Sequence, residues 1–216
     1  MTQGALVIDI PAEIGAIERD VRRTPRDDGG ENVTVLARRT YRADLGDTWS
    51  ALTDPSRITR WLMPISGDLR LGGTFQLEGN AGGDILECER PHRFRVTFGG
   101  ETSFLEVRLS PDGDDATTLE LEHTVPIEMA QSGAGAMWVG PGWDGAMMGL
   151  ALHLAGEVTG DPVAGANTPE AVAFSKEAVQ QWADAVEASG TATPEQLAEA
   201  LQMSMAQFAP DSAEAD

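Results

Sequence analysis

Residues 140–156, GPGWDGAMMGLALHLAG, predict a helix with apolar side chains on almost every side. At helical spacing, one stripe of this segment contains Trp143, Met147, Leu150 and Leu154. The opposite side holds alanine, methionine and leucine, so it is nearly as apolar. A helix that is apolar all round is buried on both faces. We expect one face to close a sheet, and the C-terminal region or a second subunit to cover the other.

Three segments before this helix alternate between apolar and polar residues, as half-buried strands do. They are RFRVTFGG (93–100), SFLEVRLSPDG (103–113) and TTLELEHTV (117–125). Phe94, Val96 and Phe98 share one face of the first segment, and His123 shares the face of Leu121 in the third. This pattern predicts an antiparallel sheet with one buried and one solvated face.

A strand and a pair of helices are predicted further upstream. VTVLARRTY (33–41) is rich in β-branched residues and predicts the first strand. DTWSALTDPSRITRWLMP (47–64) predicts two short helices that meet at Asp54-Pro55. The first of them is expected to begin near Asp44 or Asp47, since aspartate is a good N-cap residue.

Short strands are predicted between this helical pair and the alternating segments. DLRLGG (68–73) and TFQLEG (74–79) predict two strands joined at Gly72-Gly73. GGDILECERP (82–91) predicts another strand, which ends at Pro91.

The N-terminal residues predict a helix that braces the main domain. Pro11 stands where a helix would start, and Ile10, Ile14, Ile17 and Val21 recur at helical spacing. The sequence DDGGEN is then expected to end the helix and lead into the first strand.

The C-terminal region predicts two amphipathic helices. Thr168 and Thr193 each precede a Pro-Glu pair, which is typical of a helix start. The chain is therefore expected to have three parts: a helical brace with a linker (1–31), a central domain (32–157) and an acidic helical extension (158–216).

The central segments, taken in order, resemble the START-like (SRPBCC) superfamily. Within it, they are most similar to homologues of the C-terminal domain of the heat-shock-protein-90 ATPase activator. The resemblance runs from about Val33 to Glu157. It implies an α+β helix-grip fold, in which a curved antiparallel sheet wraps around a long C-terminal helix and leaves an apolar cavity. Superfamily members include lipid carriers, hormone receptors, cyclases and chaperone activators, so the resemblance leaves the function open.

The formal net charge of −20 restricts the partners of this chain. Nucleic acids and anionic membranes bind through basic residues, so neither is expected as a partner. No apolar run reaches the roughly 20 residues that span a bilayer, and the N-terminus does not resemble an export signal. With the single cysteine, Cys88, the composition predicts a cytoplasmic protein.

Aromatic residues and methionines are expected to line the cavity, because both suit an apolar pocket, although core packing alone would also explain them. The candidate ligand-binding residues are Trp61, Met63, Phe75, Phe94, Phe98, His123, Trp138, Trp143 and Met147. The resemblance implies that Trp61 and Trp143 lie at the cavity mouth. Met137 and Trp138, which lie in a loop of small residues, are hypothesised to form a movable gate.

His123 has two interpretations. Its imidazole either hydrogen-bonds a ligand, or it is a core histidine satisfied by a backbone carbonyl or a carboxylate. The chain has no GxSxG motif, phosphate loop or paired nucleophilic cysteine, and its histidines lack metal-ligand spacing. No catalytic residue, metal or cofactor is therefore predicted. Cys88 is expected to be a small core residue.

Three functions follow from these observations. The leading hypothesis is a non-enzymatic module that binds a small apolar or aromatic molecule. The first alternative is a protein-interaction module that acts on a chaperone or another protein through its acidic surface. The second is a cavity enzyme that uses His123 as a general acid or base. A homodimer is a further prediction, because the doubly apolar helix needs cover.

Overall fold

The computed structural model describes residues 8–157 and 161–210. Its strands, in chain order, are β1 (Glu18–Pro25), β2 (Glu31–Tyr41), β3 (Ile65–Gly67), β4 (Thr74–Leu77), β5 (Gly82–Glu89), β6 (Arg93–Thr97), β7 (Phe104–Pro111) and β8 (Thr117–Pro126). They form one antiparallel sheet in the order β1-β2-β8-β7-β6-β5-β4-β3.

The helices are α1 (Ile10–Gly15), α2 (Leu45–Thr53), α3 (Pro55–Ile58), α4 (Ile127–Ala130), a 3-10 helix (Gly133–Trp138), α5 (Gly140–Leu154), α6 (Pro162–Gly165), α7 (Pro169–Ser189) and α8 (Pro194–Phe208). Among the residues that the structure describes, no helix has the length and apolar character needed to cross a membrane. The α+β helix-grip fold implied by the resemblance is confirmed.

The centre of the sheet presents an apolar face to α5. β8 lies between β2 and β7, so that His123 is opposite Val35 on one side and Leu105 on the other. Two residues further along β2, Ala37 is opposite Leu121. Residues two apart on a strand share a face, and these strands therefore build one continuous wall.

α7 covers the face of α5 that is turned away from the sheet. Trp182 of α7 is fully buried, as is Val179. A Cβ atom at Gly140, the first residue of α5, would lie 2.4 Å from the Trp182 ring, so only glycine permits this approach. The C-terminal region thus supplies the cover that the second apolar face of α5, the one turned away from the sheet, requires.

The N-terminal segment differs from the predicted helical brace. α1 ends at Gly15, and β1 pairs with β2, placing Val21 opposite Val35. Val21 is 2% exposed. The few apolar residues in this segment fit a helical period, but the pattern is weak. Backbone hydrogen bonding to the edge of β2 determines the structure here instead. The prediction of a helix through Val21 was wrong.

Residues 68–73 form a turn rather than the predicted strand. The strand that pairs with β4 is β3, where Ile65 lies opposite Leu77. Local hydrogen bonds hold the turn: Gly73 N–H donates to the Arg70 carbonyl, and Arg70 Nε donates to the Asp68 carboxylate. Such local bonds compete with strand pairing.

The small-residue segment after α4 is buried rather than a movable gate. Met137 is 0% exposed, and its carbonyl accepts a hydrogen bond of 2.8 Å from Ser204 Oγ of α8. A Cβ atom at Gly133 would lie 1.8 Å from Thr191 Oγ1. The glycines therefore allow close packing under the C-terminal helices, and the gate hypothesis for Met137 and Trp138 was wrong.

Both C-terminal helices begin where the sequence predicts. Thr168 Oγ1 accepts from the Ala171 N–H at the start of α7. Thr193 and Gln196 form a capping box at the start of α8, in which each side chain accepts from the other residue's backbone N–H.

Candidate functional site

A cavity of about 460 Å³ lies between the sheet, α5 and the helical pair α2–α3. Strands β3 to β8 form one wall, and α5 forms another. The helical pair and residues 69–71 complete the lining. Most lining side chains are aliphatic or aromatic, so the interior is apolar.

The strand wall follows from the alternation of β6, β7 and β8. The cavity-facing members are Phe94, Val96, Phe98, Leu105, Val107, Leu119 and Leu121. Their neighbours point to the other face, where Arg93 Nε donates to Glu106 and Arg108 Nη1 donates to Glu120, each at 2.8 Å. Ion pairs outside and apolar side chains inside fix which face is buried.

The helical pair places two tryptophans in the lining. Asp44 caps α2 by accepting from the Asp47 N–H, and Asp54 caps α3 by accepting from the Ser56 N–H. Trp61 then folds back, and its Nε1–H donates to the Ala51 carbonyl at 3.0 Å. This bond fixes the Trp61 ring while its apolar surface faces the cavity.

The second tryptophan of the pair, Trp49, is 3% exposed. Its ring meets Phe94 edge to face, with centroids 6.0 Å apart. This contact joins α2 to the strand wall.

α5 contributes Trp143, Ala146, Met147 and Leu150 to the lining. The Tyr41 hydroxyl donates to the Met147 carbonyl at 3.3 Å, which ties α5 to the end of β2. The stripe predicted for this helix therefore faces the cavity over most of its length, since three of its four members line the cavity and Leu154 does not.

Three aromatic residues of the cavity lining, Phe75, Phe98 and Trp143, form a cluster with His123. The Phe98 ring centroid lies 5.1 Å from that of Trp143 and 5.5 Å from that of His123. Phe75 stacks on Phe98, with the two ring centroids 6.3 Å apart. Edge-to-face and stacked pairs of this kind hold aromatic rings in fixed orientations.

His123 is held in this cluster by two side-chain hydrogen bonds. Trp143 Nε1–H lies 3.3 Å from Nδ1, and Ser103 Oγ lies 2.9 Å from Nε2. An indole N–H only donates, so Nδ1 must accept, and the proton of the neutral ring belongs on Nε2. His123 is 5% exposed. Burial lowers the pKa of His123 to about 4, so the ring is neutral near pH 7.

Six of the nine residues predicted from the sequence line the cavity. They are Trp61, Phe75, Phe94, Phe98, Trp143 and Met147. Met63, His123 and Trp138 are not part of the lining. Met63 is half-buried beyond the turn after α3, and Trp138 ends the 3-10 helix, where its carbonyl accepts from Gln207 of α8. Ligand contact by any of the nine stays a prediction.

Cys88 is exposed, in contrast to the small core residue that the sequence predicted. It contributes to the outer part of the lining, together with Arg90 and Arg70. The alternating pattern correctly predicted that Cys88 lies on the opposite face of β5 from Glu87. It could not reveal that, among the described residues, this part of β5 is left uncovered.

Metal-binding groups are absent from the part of the chain that the structure describes. Across residues 8–157 and 161–210, no three His, Cys, Asp or Glu side chains come close enough together to hold an ion.

Comparison with known proteins agrees with this architecture. The family model described as Activator of Hsp90 ATPase homolog 1-like protein matches residues 42–155, more than half of the chain. Comparison with curated proteins gave no significant match.

Solved structures of similar fold include the crystal structure of CalU16 from Micromonospora echinospora. It is 38% identical, has a TM-score of 0.65, and covers 79% of this chain and 98% of CalU16. The solution NMR structure of the same protein is 36% identical, also with a TM-score of 0.65, and covers 88% of this chain and 100% of that one. EF2215 from Enterococcus faecalis, a conserved protein of unknown function, is 11% identical, with a TM-score of 0.55. The match covers 76% of this chain and 91% of the EF2215 chain, and at this identity it shows a shared fold alone. The chain belongs to the family of Activator of Hsp90 ATPase homolog 1-like proteins.

Proposed function

We propose that this protein binds a small apolar or aromatic molecule in the cavity and does so without catalysis. The observation that carries this proposal is the apolar cavity of about 460 Å³. Pockets that bury drug-sized ligands span roughly 300 to 1,000 Å³ and have mainly apolar walls.

The size of the cavity favours an occupant. Protein interiors are close-packed, with few voids larger than a water molecule. An unfilled apolar cavity loses dispersion contacts along its whole lining and does not recover them by taking up water. A ligand of matching shape restores those contacts, and the rings of Trp61, Phe98 and Trp143 offer it broad flat surfaces.

The state of His123 favours binding over catalysis. A general acid or base must reach the proton that it transfers, directly or through one water. Both ring nitrogens of His123 already contact other side chains, Ser103 and Trp143. Its lowered pKa, about 4, also lies well below neutral pH. The cavity-enzyme hypothesis therefore has less support than the binding hypothesis.

Native mass spectrometry of the purified protein, repeated under denaturing conditions, tests the proposal. We expect a co-purified small molecule that is released when the protein unfolds. The second measurement is a fluorescence titration with the apolar probe N-phenyl-1-naphthylamine.

A cavity-filling variant makes the titration specific. Ala146 faces the cavity, so Ala146→Leu places new side-chain atoms inside it. Ala198 is exposed on α8, and Ala198→Leu is the matched control. We expect A146L alone to weaken probe binding, by about tenfold or more. An empty protein that does not bind the probe, or equal binding by both variants, would overturn the proposal and leave the acidic surface as the next candidate.

A further inference from the structure

We propose that the ligand is an amphipathic anion whose apolar body fills the cavity and whose acidic group contacts Arg90. This inference rests on the proposed binding function and adds the chemical class of the ligand. The class covers any apolar molecule that carries one terminal carboxylate, sulfonate or phosphate.

The cavity has an apolar interior and a polar rim. Its exposed lining residues are Asp54, Arg70, Leu71, Cys88 and Arg90. They belong to the helical pair, to the turn at residues 68–73, and to the end of β5 with the residue that follows it. A ligand that fills the interior would present its remaining end to this rim.

The alternation of β5 places Arg90 on the cavity side. Glu87 points to the opposite face, where it forms ion pairs with Arg93 and Arg95. Cys88 and Arg90, one and three residues further on, line the cavity instead. The guanidinium of Arg90 therefore stands at the mouth and apart from the ion pairs of the outer face.

The other two rim charges already have partners. Asp54 accepts from the backbone N–H and the hydroxyl of Ser56, at 2.8 and 2.7 Å. Arg70 Nε donates to both oxygens of Asp68, at 2.9 and 2.8 Å. Because of these local hydrogen bonds, Asp54 and Arg70 have fewer donor and acceptor positions left for a ligand.

Arg90 is the rim charge that is available to a ligand. Within residues 8–157 and 161–210, it makes no ion pair and no side-chain hydrogen bond. This is notable in a chain where 35 acidic residues outnumber 15 basic ones. A guanidinium presents a planar fork of donors that matches a carboxylate or another oxyanion.

Two fluorescent probes of the same ring system test this inference. 8-Anilinonaphthalene-1-sulfonate carries a sulfonate, and N-phenyl-1-naphthylamine is its neutral counterpart. Both are titrated into the wild-type protein, Arg90→Gln and the control Arg42→Gln. Arg42 is likewise exposed and has no ion pair among the described residues, but it lies outside the cavity lining.

We expect R90Q to weaken binding of the anionic probe by about threefold to tenfold and to leave the neutral probe unchanged. R42Q should change neither affinity. The effect of R90Q should also shrink as salt is added, since the contact is exposed.

Unchanged binding of the sulfonate to R90Q, with the neutral probe still bound, would overturn the anion inference and leave the binding function standing. Equal losses in R90Q and R42Q would also overturn it, because they would reflect overall charge. Failure of both probes to bind the wild-type protein would overturn the binding function and this inference together.

Discussion

Arg19 of β1 and Asp144 of α5 form an ion pair in the protein interior, with 2.8 Å between Arg19 Nε and Asp144 Oδ2. The two side chains are 6% and 0% exposed. Arg19 Nη1 also donates to the Ile17 carbonyl at 2.8 Å. The pair therefore joins the edge strand to the helix that closes the cavity, although the residues are 125 positions apart.

Breaking this pair should strongly destabilise the fold. Arg19→Met leaves the Asp144 carboxylate without its partner, and such a change typically costs about 3 to 5 kcal/mol. Denaturant unfolding measures the loss. The control is Arg70→Met, because the ion pair of Arg70 with Asp68 is exposed and should contribute less than about 1 kcal/mol. Similar losses in the two variants would contradict the prediction.

The titration of Asp144 should make the folding stability depend on pH. Burial raises the pKa of this carboxyl from 3.8 to about 6, although the attraction of Arg19 opposes the shift. Between these values the folded protein binds more protons than the unfolded chain. The contribution of Asp144 is thus complete below pH 3.8 and is lost as the pH rises through 6, by on the order of 3 kcal/mol.

Asp144→Asn removes this titration. The stability difference between wild type and D144N, measured by denaturant unfolding from pH 4.5 to 7, should shrink as the pH rises. A difference that grows with pH would mean that Arg19 outweighs burial and holds the pKa of Asp144 low.

The contribution of His123 to folding stability should change with pH in the opposite direction to that of Asp144, over nearly the same pH range. Its pKa falls from 6.5 to about 4 on folding, because burial disfavours the imidazolium. The contribution of His123 is complete above pH 6.5 and is lost as the pH falls towards 4, by on the order of 3 kcal/mol. His123→Gln should therefore lose less stability than wild type on acidification. His92, which is exposed, gives the control His92→Gln; equal acid sensitivity of all three proteins would refute the prediction.

Local pattern and chemistry predicted most of the fold. Strict alternation located β6 to β8 and the inner position of Phe94, and Asp54-Pro55 separated the two short helices. The sequence did not predict β1, because Val21 is the one residue of this strand that is buried and the strand therefore lacks an alternating apolar pattern. Its pairing with β2 is a long-range effect that no local window contains.

The candidate site was predictable only in part, for a similar reason. Aromatic content and alternation identified the cavity wall, including Phe98 and Trp143. They could not place Trp138, because its position depends on how α8 packs on the 3-10 helix. The contact of His123 with Ser103 spans neighbouring strands, and the availability of Arg90 depends on which charges are paired elsewhere.

Two glycines of α5 should respond to alanine in opposite ways. A Cβ atom at Gly149 would lie 2.9 Å from the Trp61 carbonyl oxygen, a backbone atom that cannot move alone. At Gly145, apart from the chain neighbours and the backbone of α5 itself, no atom of the described residues lies within 4 Å of the added methyl group. Gly149→Ala should destabilise the protein by about 1 to 3 kcal/mol, whereas Gly145→Ala should stabilise it by roughly 0.5 to 1 kcal/mol.

Thermal unfolding of these two variants measures the difference, since both sit in the same helix and gain the same methyl group. A stabilised G149A would contradict the close approach of α5 to the Trp61 carbonyl. Gly149→Ala should also lower the affinity of the protein for N-phenyl-1-naphthylamine, because the added methyl group displaces Trp61 in the cavity lining.

The packing of α7 on the rear of α5 has a kinetic consequence. Trp182 fills the space beside Gly140, and α7 covers that side of α5 in the part of the chain that the structure describes. The exposed part of the cavity lining lies at the helical pair, at the turn of residues 68–73 and just after β5, so a bound molecule is expected to leave there. Its residence time is then governed by how often these short segments move apart, and not by the motion of the long helix.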